Sequence, residues 1–341
     1  MTSLGRQLMR VLPIAEAWER LTGFLSRRSV SLALKVIISG LLIAAVCRKI
    51  VAVSIWQQFE SQALAWLAVA ALLTASQIVL GALRWGQILQ ALGVELPADT
   101  VLNVTYVSSF FTSWLFGVVG GDAARAMLIP AQEQGRAVMV HSVLFDRVLT
   151  VSGLGLVALP GVIFGIGPFG HGLPLLLALA VAMVPMTGMM VIALTTKSTL
   201  RSRGGALSLH ITALARSWRR LLCAPGRFAA TLVISAVGQL VLAGVAYSLA
   251  RAQHLDVAFL DFVMLMPPVV LLVTLPVSAG GWGVRESAMV AMLAVIGVAS
   301  GSALLISVEM GVLAALISLP AGVIWVLRYG IRLRPVTATG P

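Results

Sequence analysis

The chain has 341 residues, 59% of them hydrophobic and only 11% charged, with a mean hydropathy of +1.01 and a formal net charge of +12. A soluble domain carries about 25% charged residues, so a water-soluble globular fold is excluded for most of the chain. The positive balance does not point to nucleic acid either, because the basic residues lie between apolar stretches, with no zinc-finger, RNA-recognition or basic-zipper pattern around them.

Taken in chain order, the first element is amphipathic. Leu4, Leu8, Leu12, Trp18, Leu21 and Leu25 recur at helical spacing among Arg6, Arg10, Glu16, Glu19, Arg20, Arg27 and Arg28, which predicts an interfacial segment over residues 1–28, interrupted at Pro13. The first long apolar run starts near Val30, too late for a cleavable signal peptide, and is read as a membrane helix. Uncharged stretches then run from Ser61 to Leu83, Thr100 to Gly121, Val148 to Thr196, Phe228 to Ala250, Phe262 to Val284 and Ser287 to Val308. Roughly 20 apolar residues cross a bilayer. The runs are continuously apolar rather than alternating, so they predict helices and not barrel strands. Val148 to Thr196 is long enough for two crossings, and the turn residues from Gly165 to Gly172 predict a helical hairpin. The fold class is an all-α polytopic membrane protein, with 29–328 as one transmembrane domain and a short tail over 329–341.

Full crossings are placed at about 30–47, 62–82, 148–166, 173–195, 228–250 and 303–327. With the N-terminus inside, nineteen of the 24 Lys and Arg fall on the cytoplasmic side, and the C-terminus returns there. A bacterial cytoplasmic membrane is the expected location. The basic loop 196–227 has Leu207, Ile211, Leu214, Trp218 and Leu221 on one face and Arg216, Arg219 and Arg220 elsewhere; it reads either as an interfacial helix on an anionic leaflet or as a solvated loop that fixes topology. Two apolar segments stay unplaced, at about 100–130 and 258–298. Each is flanked by loops on one side only, which predicts two re-entrant units in inverted repeat.

Both units carry Gly-Gly-x-x-x-Arg: Gly120, Gly121 and Arg125 in the first, Gly280, Gly281 and Arg285 in the second. A glycine inside a helix costs up to about 1 kcal/mol relative to alanine, so the helices are expected to break at these pairs. Broken helices at membrane depth line a cavity or are buried in protein, and their N-termini attract anions. A charged residue at a helix centre costs about 2.5 to 3.5 kcal/mol on insertion scales, so Asp122, Arg125, Arg285 and Glu286 are expected to work together. In one reading the arginines bind an anionic head group; in the other, Asp122 or Glu286 neutralises a nearby arginine and locks the fold. Asp146 and Arg147 form either another buried pair or an interfacial anchor at the entrance of the Val148 span. Glu309 either pairs with Arg285 or snorkels to the interface. His141, His171, His210 and His254 are scattered, and Cys47 and Cys223 lie in no C-x-x-C arrangement, so no metal or other cofactor is expected.

Four motifs together resemble the transmembrane region of lysylphosphatidylglycerol synthases. They are Arg84-Trp85, then Gly120-Gly121-Asp122-x-x-Arg125-Ala126, then Ser142 to Arg147, and finally Leu275 to Glu286. The resemblance spans nearly the whole chain. It departs at Phe116, which stands where Pro276 stands before the second glycine pair. Bifunctional members of that family join a lipid-flipping membrane domain to a cytoplasmic aminoacyltransferase domain; the resemblance implies only the former, since Arg328 to Pro341 is too short for the latter. Stand-alone members are similar to proteins found with lipid or glycolipid pathways, including hopanoid-associated ones. The expected function is flippase-like translocation of a phosphate-bearing phospholipid or glycolipid. The alternatives are an accessory subunit of a lipid-modifying enzyme, or a membrane enzyme using Asp122, Asp146 or Glu286 as a base. No nucleotide-binding loop, nucleophile motif or metal-ligand set supports the last.

Overall fold

Apolar segments without water to bond their backbone must close their hydrogen bonds internally, and helices are the result. The computed structural model describes residues 61–114, 117–129, 135–165, 168, 173–195, 206–274 and 283–329. The expected interfacial segment 1–28, the crossing at 30–47, the tail beyond Tyr329, and the pair Gly280 and Gly281 lie outside them. The chain divides into two units, residues 1–55 with 324–341, and residues 56–323. In the first unit only the end of the last helix is among the described residues; all the others belong to the second.

Ten α-helices and no strand occur among the described residues. They are α1 Ser61–Ala91, α2 Ala98–Trp114, α3 Gly117–Leu128, α4 Arg136–Phe164, α5 Leu173–Thr195, α6 Ala206–Leu222, α7 Pro225–Ala252, α8 Phe259–Thr274, α9 Val284–Leu293 and α10 Ser300–Tyr329. Of these, α1, α4, α7 and α10 are long and apolar enough to cross a membrane. The fold is therefore that of an all-α polytopic membrane protein. Leu72, Leu83, Phe164, Val184 and Leu194 point outward, as expected where lipid is the solvent.

Helix ends depart from the expected crossings wherever a charge stands in the chain. Helix α1 runs past Leu83 to Ala91, taking Arg84 with it, and α4 starts at Arg136 rather than 148. Asp146 and Arg147 are thus interior to α4. Pairing across helices lets the apolar segments extend through their charges. Helix α4 ends at Phe164 and α5 starts at Leu173, on either side of the expected turn residues, with Gly165 closing α4 in a left-handed conformation.

One core gathers α1, α4, α7, α8, α9 and α10 around Ala158, Ala246, Phe262, Met289 and Ile306. The middle of α8 is apolar all round, with Phe262 to Val269 buried, which is the pattern of a helix segment inside protein rather than against lipid. A second core sets Ile88 and Leu92 of α1, Phe145 and Leu149 of α4, and Met189 and Ala193 of α5 against Trp218 and Leu221 of α6. Helices α1 and α7 are tied by Gln77, whose Nε2 donates to the Gly238 carbonyl at 2.7 Å.

Two of the apolar segments are interrupted. Helices α2 and α3 replace the segment at 100–130, and α8 and α9 the segment at 258–298. Their 17, 12, 16 and 10 residues make each arm about 25 Å long or less at 1.5 Å per residue, short of the roughly 30 Å hydrocarbon core. The break of the first unit corrects the sequence reading. Gly117, which opens α3, takes φ +60°, whereas Gly120 and Gly121 lie inside that helix. Those two glycines lie buried within α3. A Cβ on Gly121 would sit 1.9 Å from Thr112 Oγ1 and 2.9 Å from the Ser108 carbonyl oxygen, so this glycine permits α3 to lie directly on α2. In the second unit α9 starts after Gly283, at φ +89°.

Candidate functional site

The site is built where α1, α2, α3 and α4 meet. Helix α1 brings Arg84 and Trp85, α2 brings Ser108, α3 brings Asp122 and Arg125, and α4 brings Ser142, Asp146 and Arg147. Asp146 is the hub. Arg84 donates to both its carboxylate oxygens, Nε at 2.6 Å and Nη2 at 3.2 Å, and Arg125 Nη1 donates to Oδ2 at 2.8 Å. The Asp146 side chain is 1% exposed, Arg84 12% and Arg125 11%. Two guanidinium groups thus share one buried carboxylate.

Arg125 is held on its other sides as well. Its Nε donates to Ser108 Oγ at 3.1 Å, and its guanidinium stands 5.4 Å from the centre of the Trp85 ring. Trp85 is itself fixed, being fully buried with Nε1 donating to Ser142 Oγ at 3.1 Å. Trp85→Phe removes this donor and weakens the contact between cation and ring, so a loss of about 1 to 2 kcal/mol is expected. Thermal unfolding of the purified protein measures it. An unchanged midpoint would mean that Trp85 contributes only its bulk.

Asp122, expected beside Arg125, pairs instead with Arg147, whose Nη2 and Nε donate to its two carboxylate oxygens at 2.6 and 2.8 Å. This bidentate pair is the open part of the site, with side chains 37% and 21% exposed for Arg147 and Asp122. Three arginines and two aspartates leave the cluster with one excess positive charge. Such a surplus in a membrane-embedded cluster attracts an anion.

Arg285 has separate partners in the second unit. Its Nε donates to Ser307 Oγ of α10 at 3.1 Å, and its Nη2 to Glu286 Oε1 at 3.0 Å. Glu286 also accepts the Gly283 N–H, so its side chain reaches back to cap the start of α9. A cavity of about 350 Å³ beside it is lined by Glu286, Ser287, Val290, Ala291 and Leu304. Glu309 accepts a hydrogen bond from Gln253 Nε2 at 3.1 Å, a partner that nothing in the sequence announces. Each motif arginine is therefore anchored through Nε to a serine hydroxyl, Ser108 for Arg125 and Ser307 for Arg285.

Of the expected residues, Asp122, Arg125, Asp146 and Arg147 come together, while Arg285 and Glu286 form their own pair. Gly120 and Gly121 are buried within α3, where Gly121 lies directly on α2. Arg84, Trp85 and Ser142 stand out in the sequence only as members of the motifs shared with the family, with no site role given to them, and Ser108 does not stand out at all; its one signal is polarity inside an apolar run.

Apolar helices long enough to span a bilayer, enclosing a cluster of paired charges, define a polytopic membrane protein with a polar site in its helical bundle. A family model described as the lysylphosphatidylglycerol synthase TM region matches residues 32–327, and the chain belongs to that family. Its membrane role is accordingly tied to lipid modification or transport. Comparison with curated proteins gives no match.

Proposed function

We propose that this protein translocates a phosphate-bearing lipid across the bacterial cytoplasmic membrane in a flippase-like manner. The single observation that carries the reading is the charge surplus of the four-helix cluster, where Arg84, Arg125 and Arg147 face Asp122 and Asp146. A head-group phosphate takes the place of Asp122 on the half-exposed Arg147, a planar guanidinium suited to bidentate oxyanion contacts. Arg125, held by Asp146, Ser108 and Trp85, adds the second positive charge without having to be ordered on binding. Asp122, once released, is free to meet a cationic head-group moiety. The lipid tails remain in the bilayer, and no covalent step is involved.

In this reading the two interrupted units are re-entrant, the first entering from the cytoplasmic side and the second from the opposite side, with both termini cytoplasmic. Arg285, beside the cavity at Glu286, receives the head group at the second unit. The short arms and the buried middle of α8, Phe262 to Val269, support it, since interrupted helices survive at membrane depth only when covered by protein or lining a cavity.

The test is reconstitution into liposomes carrying a panel of labelled phospholipids and glycolipids, comparing wild type with Arg147→Gln and Arg285→Gln. Head-group-selective movement is expected for wild type. Either substitution should slow it by about tenfold or more, the loss of one charge-assisted contact worth about 1.5 to 3 kcal/mol. If folded wild-type protein moves no lipid in the panel, translocation gives way to an accessory role beside a lipid-modifying enzyme.

A further inference from the structure

Helix α6 is amphipathic, and the second half of its apolar side faces protein. Ala215 is buried, and Trp218 and Leu221 lie in the core formed with α1, α4 and α5. The opposite strip carries Arg216 and Arg220, with Cys223 one turn further on, and all three are exposed. Arg227, at the start of α7, is exposed beside them in sequence. No Asp or Glu occurs anywhere from residue 197 to 255, so this strip has no acidic residue of its own segment to neutralise it.

The level of α6 is fixed by its neighbours. Arg219 donates from Nε and Nη2 to the Ala193 carbonyl in the last turn of α5, and α7 begins at Pro225, three residues after α6 ends. Apolar helices thus stop on one side of α6 and start on the other, which sets its basic strip at the height of lipid head groups. The most abundant anions at that height are the lipids themselves. With the apolar face of its second half already used inside the protein, this half of the helix can engage a leaflet only through charge.

We infer that the Arg216–Arg220 face of α6 is a docking surface for anionic lipid head groups of the adjacent leaflet, separate from the Arg125 cluster. The contact bears on that cluster through packing. Trp218 stands edge-on to Phe145 with ring centres 4.9 Å apart, and Ser217 Oγ lies 3.0 Å from His141 Nδ1. Phe145 adjoins Asp146, so a leaflet that holds α6 also braces α4 at the carboxylate shared by Arg84 and Arg125.

Cys223 offers the probe. The full chain with Cys47→Ser carries an environment-sensitive fluorophore on Cys223 and is placed in nanodiscs in which phosphatidylglycerol progressively replaces phosphatidylcholine. Emission should shift to shorter wavelength as the anionic fraction rises and return on adding salt, because charges at this surface are screened within about 10 Å at 0.1 M ionic strength. Each arginine removed should weaken docking about fivefold, so Arg216→Gln with Arg220→Gln should abolish most of the shift. Arg216→Lys with Arg220→Lys should retain it, since a leaflet reads charge rather than guanidinium shape. The inference is overturned by equal emission in both lipids for the unsubstituted helix. It is equally overturned by a shift that survives the glutamine pair or disappears in the lysine pair.

Discussion

Asp146→Asn is expected to destabilise the folded protein more than any other single change at the site. The side chain keeps its shape, but Arg84 and Arg125 both lose their carboxylate, and both are nearly buried. Removing one partner of a buried ion pair costs about 3 to 5 kcal/mol, because the charge left behind has neither water nor a counter-ion. Here two such charges are left, so the upper end of that range is expected, with a large fall in the unfolding midpoint of the purified protein. Arg125→Gln should cost less, because Asp146 keeps both hydrogen bonds from Arg84. Combining Asp146→Asn with Arg125→Gln should then be less damaging than the sum of the two, since the second change removes a charge the first had stranded. Strict additivity in that cycle would show that Asp146 acts through something other than Arg125.

Substitutions at the two acidic residues and their partners also separate fold from function. Asp146 is too well covered and too fully engaged to meet a head group, so its role is to hold two arginines at fixed positions. Arg147 and Asp122 are the exposed pair, and exchange with a ligand costs least there. Loss of Arg147 should therefore depress lipid movement while leaving the unfolding midpoint close to that of wild type. A midpoint that falls as far as that of Asp146→Asn would mark Arg147 as structural instead.

The helices are legible in the sequence because lipid imposes a simple code. Val148 to Thr196 reads as two helices with a turn at Gly165 to Gly172, and α4 ends at Phe164 and α5 starts at Leu173. Helix ends are not legible at Arg84, Asp146 and Arg147, since an isolated charge at the edge of an apolar run looks like the edge of the membrane. Arg84 and Asp146 are 62 positions apart, and nothing local announces that they neutralise each other. Arg125 can be picked out from its spacing to the glycine pair, whereas Ser108 looks like any small polar residue in a membrane helix. The glycines stand out for a partly wrong reason. Their helix-breaking cost draws attention to them, but Gly121 serves close packing, and the chain turns four residues earlier at Gly117, which alone of these takes a left-handed conformation.

Gly121→Val should force α3 away from α2, and the reason is the nature of the atoms it would meet. Thr112 Oγ1, the nearest, belongs to a side chain that can turn aside, at the loss of its hydrogen bond to the Ser108 carbonyl at 3.0 Å. The Ser108 carbonyl oxygen, 2.9 Å from an added Cβ, is backbone inside a helix and cannot turn without breaking the helix. Overpacking of this kind costs about 1 to 3 kcal/mol, and valine, with two further methyl groups, belongs at the upper end. The consequence reaches the site directly, because Ser108 also anchors Arg125 Nε. Gly121→Val should therefore lower the unfolding midpoint and, with Arg125 displaced, reduce lipid movement as well. Gly121→Ala should do the same more mildly, and adding Thr112→Ala should restore only part of the loss, since the carbonyl remains in the way. Complete recovery in that double variant would show that the Thr112 side chain was the whole obstacle and that α2 and α3 have room to separate.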